Sequence, residues 1–333
     1  MMIAAVILKM TRKFSQLSAL LVTLIAVSSI VEGKRISQIK CEEFIRRTEQ
    51  ETKVIPLTLN PRPIVFKSFN CSKTVDLIVG GEDAKEAEFP HQAVLGYRIN
   101  GTDEYAFLCG ATLISEWYVM TAAHCMRKGN ASIVRLGDSN LQKNSPFQFD
   151  IDVDKVIKHP YYRMSRSYYD IALIKLKQRV FFSRHVRPAC LWGDLYDNVT
   201  SVIATGFGAT EEAGPTSDTL RKVQLEIMDT SECESAFSGV KSVREGIKDE
   251  QVCIGSTDGE RDTCQGDSGG PIQVLLNPKG CIYHVLAITS TGVACGHTAA
   301  LYTKVASYID WIEGIVWGNG GRFGSEQRRY NLY

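Results

Sequence analysis

Short apolar runs separated by turn-forming residues fill most of the chain from position 78 onward. Residues 149–153 and 223–227 alternate apolar and charged side chains with a period of two, which is the pattern of a half-buried strand. Five further runs are short and largely apolar: residues 92–99, 107–114, 171–176, 272–276 and 285–289. Many short strands with turns between them are typical of a β-sandwich or β-barrel, so the pattern predicts an all-β domain.

One stretch near the C-terminus has its apolar residues at helical spacing, and it is the only clearly helical stretch. These residues are Val305, Tyr308, Ile309, Ile312, Ile315 and Val316. After Trp317 the chain turns to glycine, arginine and other polar residues. The sequence therefore predicts one C-terminal helix, followed by a flexible tail over residues 318–333.

The N-terminus has a different pattern. Lys9, Arg12 and Lys13 precede an apolar run over residues 17–31, and small or aliphatic residues end it. This predicts a signal peptide over residues 1–33. A signal anchor is the alternative, because the run is near the short end of what can span a bilayer. No second long apolar run follows in the sequence, so we predict a soluble, secreted, extracellular protein without a membrane partner.

Residues 34–77 form a segment of their own. The stretch from Lys34 to Lys53 is highly charged, and two prolines in residues 59–64 favour extended chain over helix. The segment is too small to bury a core by itself. It is predicted to be a pro-segment, or light chain, attached to the larger domain.

Composition agrees with export. The chain has 333 residues and a formal net charge of +1, so bulk electrostatics gives no indication of a nucleic-acid partner. Its ten cysteines are spread out without CxxC clusters, which favours disulfides in an oxidising compartment over a zinc site. Four sequons predict glycosylation at Asn70, Asn100, Asn130 and Asn198.

Three segments carry candidate chemistry. His124 lies beside a cysteine after an apolar strand, Asp170 lies just ahead of a buried strand, and Ser268 lies in a glycine-rich turn. Taken singly, each has an ordinary structural explanation, since a histidine is usually structural, an aspartate usually caps and a Gly/Ser turn is usually just a turn.

Together the three segments resemble the trypsin/chymotrypsin family of serine proteases. The chain order His, Asp, Ser is that family's order. The resemblance covers residues 78–317 and includes Ile78-Val-Gly-Gly81, Gly206-Phe-Gly208 and the segment from Asp262 to Ser268. It implies a chymotrypsin-like fold, with two packed six-stranded antiparallel β-barrels and a C-terminal α-helix. The leucine before Ile78 and the strand over residues 283–290 are most similar to those of arthropod clip-type proteases of the snake group. A clip domain needs six cysteines, however, and the pro-segment has only two.

The resemblance also assigns roles to residues. A serine hydroxyl is a weak nucleophile and needs a base, so Ser268 would be the nucleophile and His124 the base. Asp170 would hold the imidazole in the required tautomer. The backbone amides of Gly266 and Ser268 would form the oxyanion hole.

A specificity pocket follows from the same resemblance. Asp262 would lie at its base and pair with a substrate Arg or Lys. Ser290, Gly292 and Ala300 would also contact the substrate. Ala300 stands where trypsin has a glycine, and Thr291 replaces the usual aromatic residue, which leaves the Arg/Lys preference open.

No cofactor and no metal are predicted. Asp138 and Asn140 match the start of the family's calcium loop. Ser145 and Gln148 stand at the later acidic positions, which leaves too little negative charge for a firm site.

The family's disulfide pattern implies the pairs Cys109–Cys125, Cys233–Cys253 and Cys264–Cys295. A fourth pair, Cys71–Cys190, would tether the pro-segment, and the remaining Cys41 and Cys281 would then pair with each other. One common family disulfide is expected to be absent, because its two positions are Val202 and Val274.

The family matures by cleavage before Ile78, and the freed α-amino group then pairs with Asp267. Here Leu77 precedes that bond, and leucine does not suit a pocket with a carboxylate at its base. We therefore expect an upstream activating protease that accepts Leu77, and no self-activation.

The function implied is that of a secreted zymogen. Once active, it would be a serine endopeptidase cleaving protein substrates after Arg or Lys in a regulatory extracellular cascade, with serpin-type proteins as its inhibitors. Two alternatives stay open at this point: a digestive or venom trypsin-like protease, and a non-catalytic homologue that acts as a binding partner.

Overall fold

The computed structural model describes residues 34–54, 64–69, 81–127, 129–193, 199–209, 214–256, 263–276, 282–292 and 299–318. The predicted signal peptide, most of the predicted tail, and the site residues Leu77, Ile78 and Asp262 lie outside these ranges. No helix in the described ranges is long and apolar enough to cross a membrane.

The described N-terminal part contains one helix and one two-stranded sheet. The helix is α1 (Ile36–Thr48), and it is followed by β1 (Glu49–Val54) and β2 (Ile64–Phe69), which pair with each other in antiparallel fashion. The short strand β3 (Glu82–Asp83) begins the part of the chain that joins the main body.

The first barrel is closed and has six strands: β4 (Gln92–Arg98), β5 (Tyr105–Leu113), β6 (Tyr118–Thr121), β7 (Ile133–Leu136), β8 (Phe149–Lys158) and β9 (Ala172–Leu176). Their order around the barrel is β4-β5-β6-β9-β8-β7, and β7 pairs back with β4. All of these pairings are antiparallel. Leu95, Ile114, Val134 and Leu173 are fully buried at its centre.

The second barrel follows in the chain. Its region contains β10 (Cys190–Leu191), β11 (Ser201–Gly206), β12 (Arg221–Ile227), α2 (Thr230–Ala236), β13 (Gln251–Gly255), β14 (Pro271–Val274), β15 (His284–Thr291) and β16 (Ala300–Lys304). Six strands close in the order β15-β14-β11-β12-β13-β16, because β16 pairs back with β15. β10 lies outside this ring, parallel to β15, and β3 pairs with β12. The predicted fold of two six-stranded antiparallel barrels is therefore confirmed.

The predicted C-terminal helix is α3 (Ile309–Val316), preceded by a 3₁₀ turn over Ala306–Tyr308. Ile309 and Ile312 are buried in the core of the first barrel. The chain therefore leaves the second barrel and packs its last helix against the first one, which couples the two halves.

Two further helices correct the prediction of only one. In α1, the buried residues Ser37, Cys41 and Phe44 lie on one face, but only two of them are apolar, so the sequence pattern is weak. In α2, the helix has seven residues and one buried side chain, Cys233. Such helices depend on tertiary contacts more than on their own periodicity.

Helix α1 packs against both the first barrel and α3. The Phe44 ring meets Phe182 edge-to-face with centroids 5.5 Å apart. The Ser37 hydroxyl donates to a carboxylate oxygen of Glu313 at 2.6 Å, and Arg35 Nε lies 3.3 Å from the same carboxylate. The first part of the predicted pro-segment is thus docked on the protease body.

The disulfides confirm part of the prediction and correct another part. Cys109–Cys125 and Cys233–Cys253 are formed as expected. Cys264 is also in a disulfide, and its predicted partner, Cys295, lies outside the described residues.

The tether to the pro-segment differs from the prediction. Cys190 pairs with Cys41, at a sequence separation of 149 residues, so the predicted pairs Cys71–Cys190 and Cys41–Cys281 are wrong. An even number of cysteines is compatible with either Cys41 or Cys71 as the partner of Cys190. Only the docking of α1 shows which of the two reaches it. Val202 and Val274, at the expected missing disulfide, are both buried in the core of the second barrel.

Candidate active site

His124 and Asp170 meet at one edge of the first barrel. His124 lies in a 3₁₀ turn over Ala123–Met126, just after β6. Its Nδ1 lies 2.7 Å from Asp170 Oδ2, and its backbone amide donates to Asp170 Oδ1 at 2.8 Å. Both carboxylate oxygens thus hold the histidine, which fixes the side chain and the backbone of His124 together.

Asp170 is almost completely buried, with 1% of its surface exposed. Burial by itself would raise the pKa of its carboxyl. The charge of His124 and hydrogen bonds from His124 and from the Ser290 hydroxyl outweigh burial, so the pKa lies below its ordinary value. The Ser290 bond is 2.6 Å long. Asp170 is therefore kept as a carboxylate facing His124.

Ser268 lies in a tight turn of the second barrel that abuts the first. Its carbonyl accepts a hydrogen bond from the Gly110 amide at 2.8 Å, which ties the turn to β5. Gly269 has φ 77°, and a Cβ there would lie 2.1 Å from Thr121 Oγ1. Only glycine fits this position, because both the backbone angle and the space exclude a side chain.

The turn before Ser268 also requires glycine. Gly266 has φ 104°, and a Cβ there would lie 2.9 Å from the Gly208 Cα. Within the described part of the chain, the amides of Gly266 and Ser268 have no hydrogen-bond acceptor. Two unpaired amides beside a serine are the arrangement that can stabilise an oxyanion.

Asp267 points away from the cleft, into the second barrel. Its Oδ1 accepts from the Gly208 amide at 2.8 Å and its Oδ2 accepts from the Cys264 amide at 2.9 Å. A Cβ at Gly206 would lie 2.0 Å from the Asp267 carboxylate, so the absence of a side chain at Gly206 leaves room for this carboxylate. Burial raises the pKa of Asp267 to about 6, and the two amides only partly offset this effect.

One cleft contains His124, Ser268 and the described pocket residues Ser290, Gly292 and Ala300. Ala300 is buried, and its methyl lies 3.8 Å from where a Cβ of Gly292 would be. The methyl therefore occupies space directly opposite Gly292.

The structure adds residues that the sequence reasoning missed. Arg127, Ser167 and Ser242 line the same cleft. The Thr291 hydroxyl donates to Ser167 Oγ at 2.9 Å, so this wall carries hydroxyl groups. Thr303 donates to the backbone carbonyl of Asp170 at 3.1 Å. Of these residues, the sequence marks only Thr291 as a position of interest and Thr303 as part of a family-like segment, Tyr302-Thr-Lys-Val305, while the others lie in segments without a recognisable motif.

The acidic side chains of the loop around Asp138 lie near a positively charged side chain, Arg135. Arg135 makes two hydrogen bonds to Asp150, at 2.8 and 2.9 Å, and its Nη1 lies 3.7 Å from Asp138 Oδ2. Gln148 accepts from the amide of Ser145. A guanidinium thus neutralises acidic groups of this loop.

Two closed antiparallel barrels, with a histidine–aspartate pair facing a serine across their junction, define the chymotrypsin-like class of proteins. A family model described as Trypsin matches residues 78–312. The chain therefore belongs to the trypsin family, and it carries a serine-protease domain.

Individual relatives agree with this family. The chain is 40% identical to Serine protease snk of Drosophila melanogaster over 293 residues, which cover 86% of this chain and 66% of that protein. It is 35% identical to Serine protease Hayan of Drosophila melanogaster over 250 residues, covering 72% and 39%. It is 34% identical to Chymotrypsin-like elastase family member 1 of Homo sapiens over 247 residues, covering 73% and 93%. The chain thus spans two thirds or less of these two insect relatives.

Proposed function

We propose that this chain is the secreted zymogen of a serine endopeptidase that cleaves after Arg or Lys, with Ser268, His124 and Asp170 as its catalytic triad. One observation carries the proposal. A buried carboxylate holds both the ring and the backbone of His124, and His124 lines the same cleft as Ser268.

This geometry supports the following reaction. His124 Nε2 takes the proton from Ser268 Oγ while that oxygen attacks the carbonyl carbon of the scissile peptide. Asp170 accepts the Nδ1 proton in a hydrogen bond and stabilises the imidazolium that forms. His124 then gives the proton to the leaving amine, and water repeats the sequence to release the acyl group.

The oxyanion of each tetrahedral intermediate would accept from the amides of Gly266 and Ser268. Loss of one such donor typically raises the barrier by about 3–4 kcal/mol. Both amides lie in a turn whose shape depends on glycine at positions 266 and 269. This dependence supports a preformed hole that needs no rearrangement during the reaction.

Specificity for basic residues rests on Asp262, which lies outside the described residues. In the proposed pocket, Ser290, Gly292 and Ala300 form the walls and Asp262 pairs with the substrate cation. The Ala300 methyl opposite Gly292 would reduce the width available to a guanidinium. We therefore expect the ratio of Arg to Lys cleavage to depend on this methyl group.

Secretion, the extracellular cascade and inhibition by serpin-type proteins belong to the same proposal. Three described disulfides suit an oxidising compartment. Asn100 and Asn130 are exposed, as glycosylation would require, while Asn70 and Asn198 lie outside the described residues. A light chain docked through α1 is compatible with a regulatory protease.

Hydrolysis of Arg-ending and Lys-ending amide substrates by protein with a verified Ile78 terminus tests the proposal. Ser268→Ala should lower the rate by several orders of magnitude, whereas Ser235→Ala, at an exposed serine of α2, should not change it. Asp262→Ser should abolish the preference for basic residues, and Ala300→Gly should shift the Arg/Lys ratio. Turnover by Ser268→Ala comparable to wild type would refute the mechanism, and an unchanged cleavage profile in both pocket variants would refute the pocket.

A further inference from the structure

The backbone immediately before Asp170 is strained. Tyr169 has φ 55°, in the left-handed region. Among the described residues, the only other non-glycine with positive φ is Ala87, at 58°. This conformation costs free energy for any residue with a Cβ, and for a bulky aromatic residue it is uncommon. Strain of this kind persists only where the surroundings impose it, and it clusters at functional sites.

A stack of aromatic rings holds Tyr169 in this conformation. The Tyr169 ring lies parallel to the His159 imidazole, with centroids 5.1 Å apart and planes at 5°. Three further rings surround His159, at centroid distances of 5.7, 5.2 and 5.2 Å: Tyr161, Tyr308 and Trp311. Two of the three come from the C-terminal 3₁₀ turn and α3. Burial lowers the pKa of His159 to about 4, so the stacked imidazole is neutral at neutral pH.

Backbone hydrogen bonds link this stack to Asp170. The His159 amide donates to the Ile171 carbonyl at 3.0 Å, and the Ile171 amide donates to the Tyr169 carbonyl at 2.8 Å. The second bond closes a tight turn with Asp170 at its apex. The direction of the Asp170 side chain is therefore set by the conformation of Tyr169 on one side and of Ile171 on the other.

Asp170 has little freedom to compensate for a change in that turn. Its two carboxylate oxygens are used by the amide and Nδ1 of His124 and by the Ser290 hydroxyl, at 2.8, 2.7 and 2.6 Å. Relaxation of Tyr169 to negative φ would rotate the Asp170 Cα–Cβ bond and lengthen these three contacts together. His124 would then lose the partner that fixes its ring.

We propose that His159 and Tyr169 are positioning residues, whose stacked rings hold the strained turn that aims Asp170 at His124. This inference rests on the proposed function, because it gives Asp170 its place in the triad. Neither ring is expected to contact the substrate, and both act through the backbone. The C-terminal 3₁₀ turn and α3 would thus contribute to catalysis indirectly, because they supply Tyr308 and Trp311, two of the rings that surround His159.

The test compares variants with and without an aromatic face. Tyr169→Val and His159→Leu should each lower kcat by about 10- to 100-fold, as small displacements of catalytic groups do, with KM changed far less. His159→Phe should recover most of the loss of His159→Leu, because it restores a flat ring. The far-downfield proton resonance of the His124–Asp170 hydrogen bond should shift or broaden in the two disruptive variants and return in His159→Phe.

A matched control separates positioning from stability. Ala87→Val introduces a branched residue at the other strained position, which does not line the active-site cleft. It should lower Tm without changing kcat per folded molecule. Equal kcat and an unshifted proton resonance in folded Tyr169→Val or folded His159→Leu would overturn the inference; if one of these variants does not fold, the other decides.

Asp170→Asn and Ser268→Ala are measured in parallel. Turnover retained by these two variants would refute the proposed triad itself. Turnover lost in both, but retained in the Tyr169 and His159 variants, would refute only the positioning role.

Discussion

A buried carboxylate without a described cation stands next to Ser268, the proposed nucleophile. Asp267 is held by two backbone amides and no described cation contacts it. Two neutral donors stabilise a buried charge less than an ion pair would, which is why burial raises the pKa to about 6. The raised pKa makes the charged form of this residue a source of instability at neutral pH, and the proposed cleavage before Ile78 would relieve it by adding an α-amino group.

The stability of the uncleaved Ser268→Ala protein should therefore depend on pH through Asp267. A native-state pKa above the unfolded value means that the folded chain binds the proton more tightly, so the contribution is present below about pH 4 and is lost as pH rises through about 6. A difference of about two pKa units corresponds to about 3 kcal/mol. The measurement is the free energy of unfolding between pH 4 and 8, compared with the Asp267→Asn variant, which should lack this component.

Cleavage before Ile78 should remove the effect. If the new ammonium group pairs with Asp267, the pKa of the carboxyl falls and the loss of stability between pH 4 and 6 disappears. An identical pH dependence in cleaved and uncleaved protein would contradict the pairing.

At the scale of elements, α1 shows how a segment with a weak sequence pattern becomes part of the folded body. One face contributes Cys41 and Phe44 to a small cluster with Cys190 and Ile282. Its two ends make ionic contacts, Arg35 with Glu313 on α3 and Arg47 with Glu116 at 2.9 Å. The ionic contacts are partly exposed and each contributes little, so the disulfide and the apolar cluster provide most of the attachment.

The light chain should therefore stay attached after activation through Cys41. The cleaved protein should migrate as one species on a non-reducing gel and as two after reduction. Mass spectrometry of a non-reduced digest should detect a peptide pair joining Cys41 to Cys190. A peptide pair joining Cys71 to Cys190 would show that this connectivity is wrong.

A second element, β3, lies a few residues after the expected cleavage bond. The chain from Gly81 to Ala84 is fixed on the second barrel: Ala84 donates to the Leu220 carbonyl at 2.7 Å, and Arg221 donates to the Gly81 carbonyl at 3.1 Å. Nearby, the buried Lys222 and Glu88 form an ion pair at 2.7 Å, which anchors the same region. Glu82 and Asp83, a few residues after the expected cleavage bond, are thus paired in register with β12.

At the scale of the whole molecule, the proposed specificity and the proposed activation bond do not match. A pocket built around a carboxylate would reject Leu77, so the enzyme should not activate itself. Incubating the Ser268→Ala zymogen separately with trypsin, chymotrypsin and active wild-type enzyme, followed by N-terminal sequencing, tests this. Chymotrypsin should produce an Ile78 terminus, and Leu77→Arg should transfer sensitivity to trypsin. Efficient production of that terminus by trypsin or by the enzyme itself from the unmodified zymogen would contradict the expectation.

Local patterns in the sequence were sufficient to predict an all-β domain, and the family resemblance narrowed this to two barrels. Strands such as β8 and β12 alternate apolar and polar residues because one face packs inward, and this period is visible without any partner. The candidate triad was also predictable, but only because the three segments together, in the chain order His, Asp, Ser, resemble the trypsin/chymotrypsin family. None of the three segments is specific by itself, so their combination and their order along the chain carried the prediction.

Other features depend on which segments meet in space. The partner of Cys190 was decided by the docking of α1, since sequence separation does not distinguish Cys41 from Cys71. The strain at Tyr169 arises because several aromatic rings, two of them from the C-terminal 3₁₀ turn and α3, pack around His159. This packing cannot be predicted from any local sequence pattern. The sequence by itself determined the strands, because they follow from short-range periodicity, and it marked the candidate reactive side chains, because their motifs resemble those of a known family. The tertiary structure alone decided the tether, the rings behind Asp170 and the hydroxyl-lined wall of the cleft, because each requires contacts between residues distant in the chain.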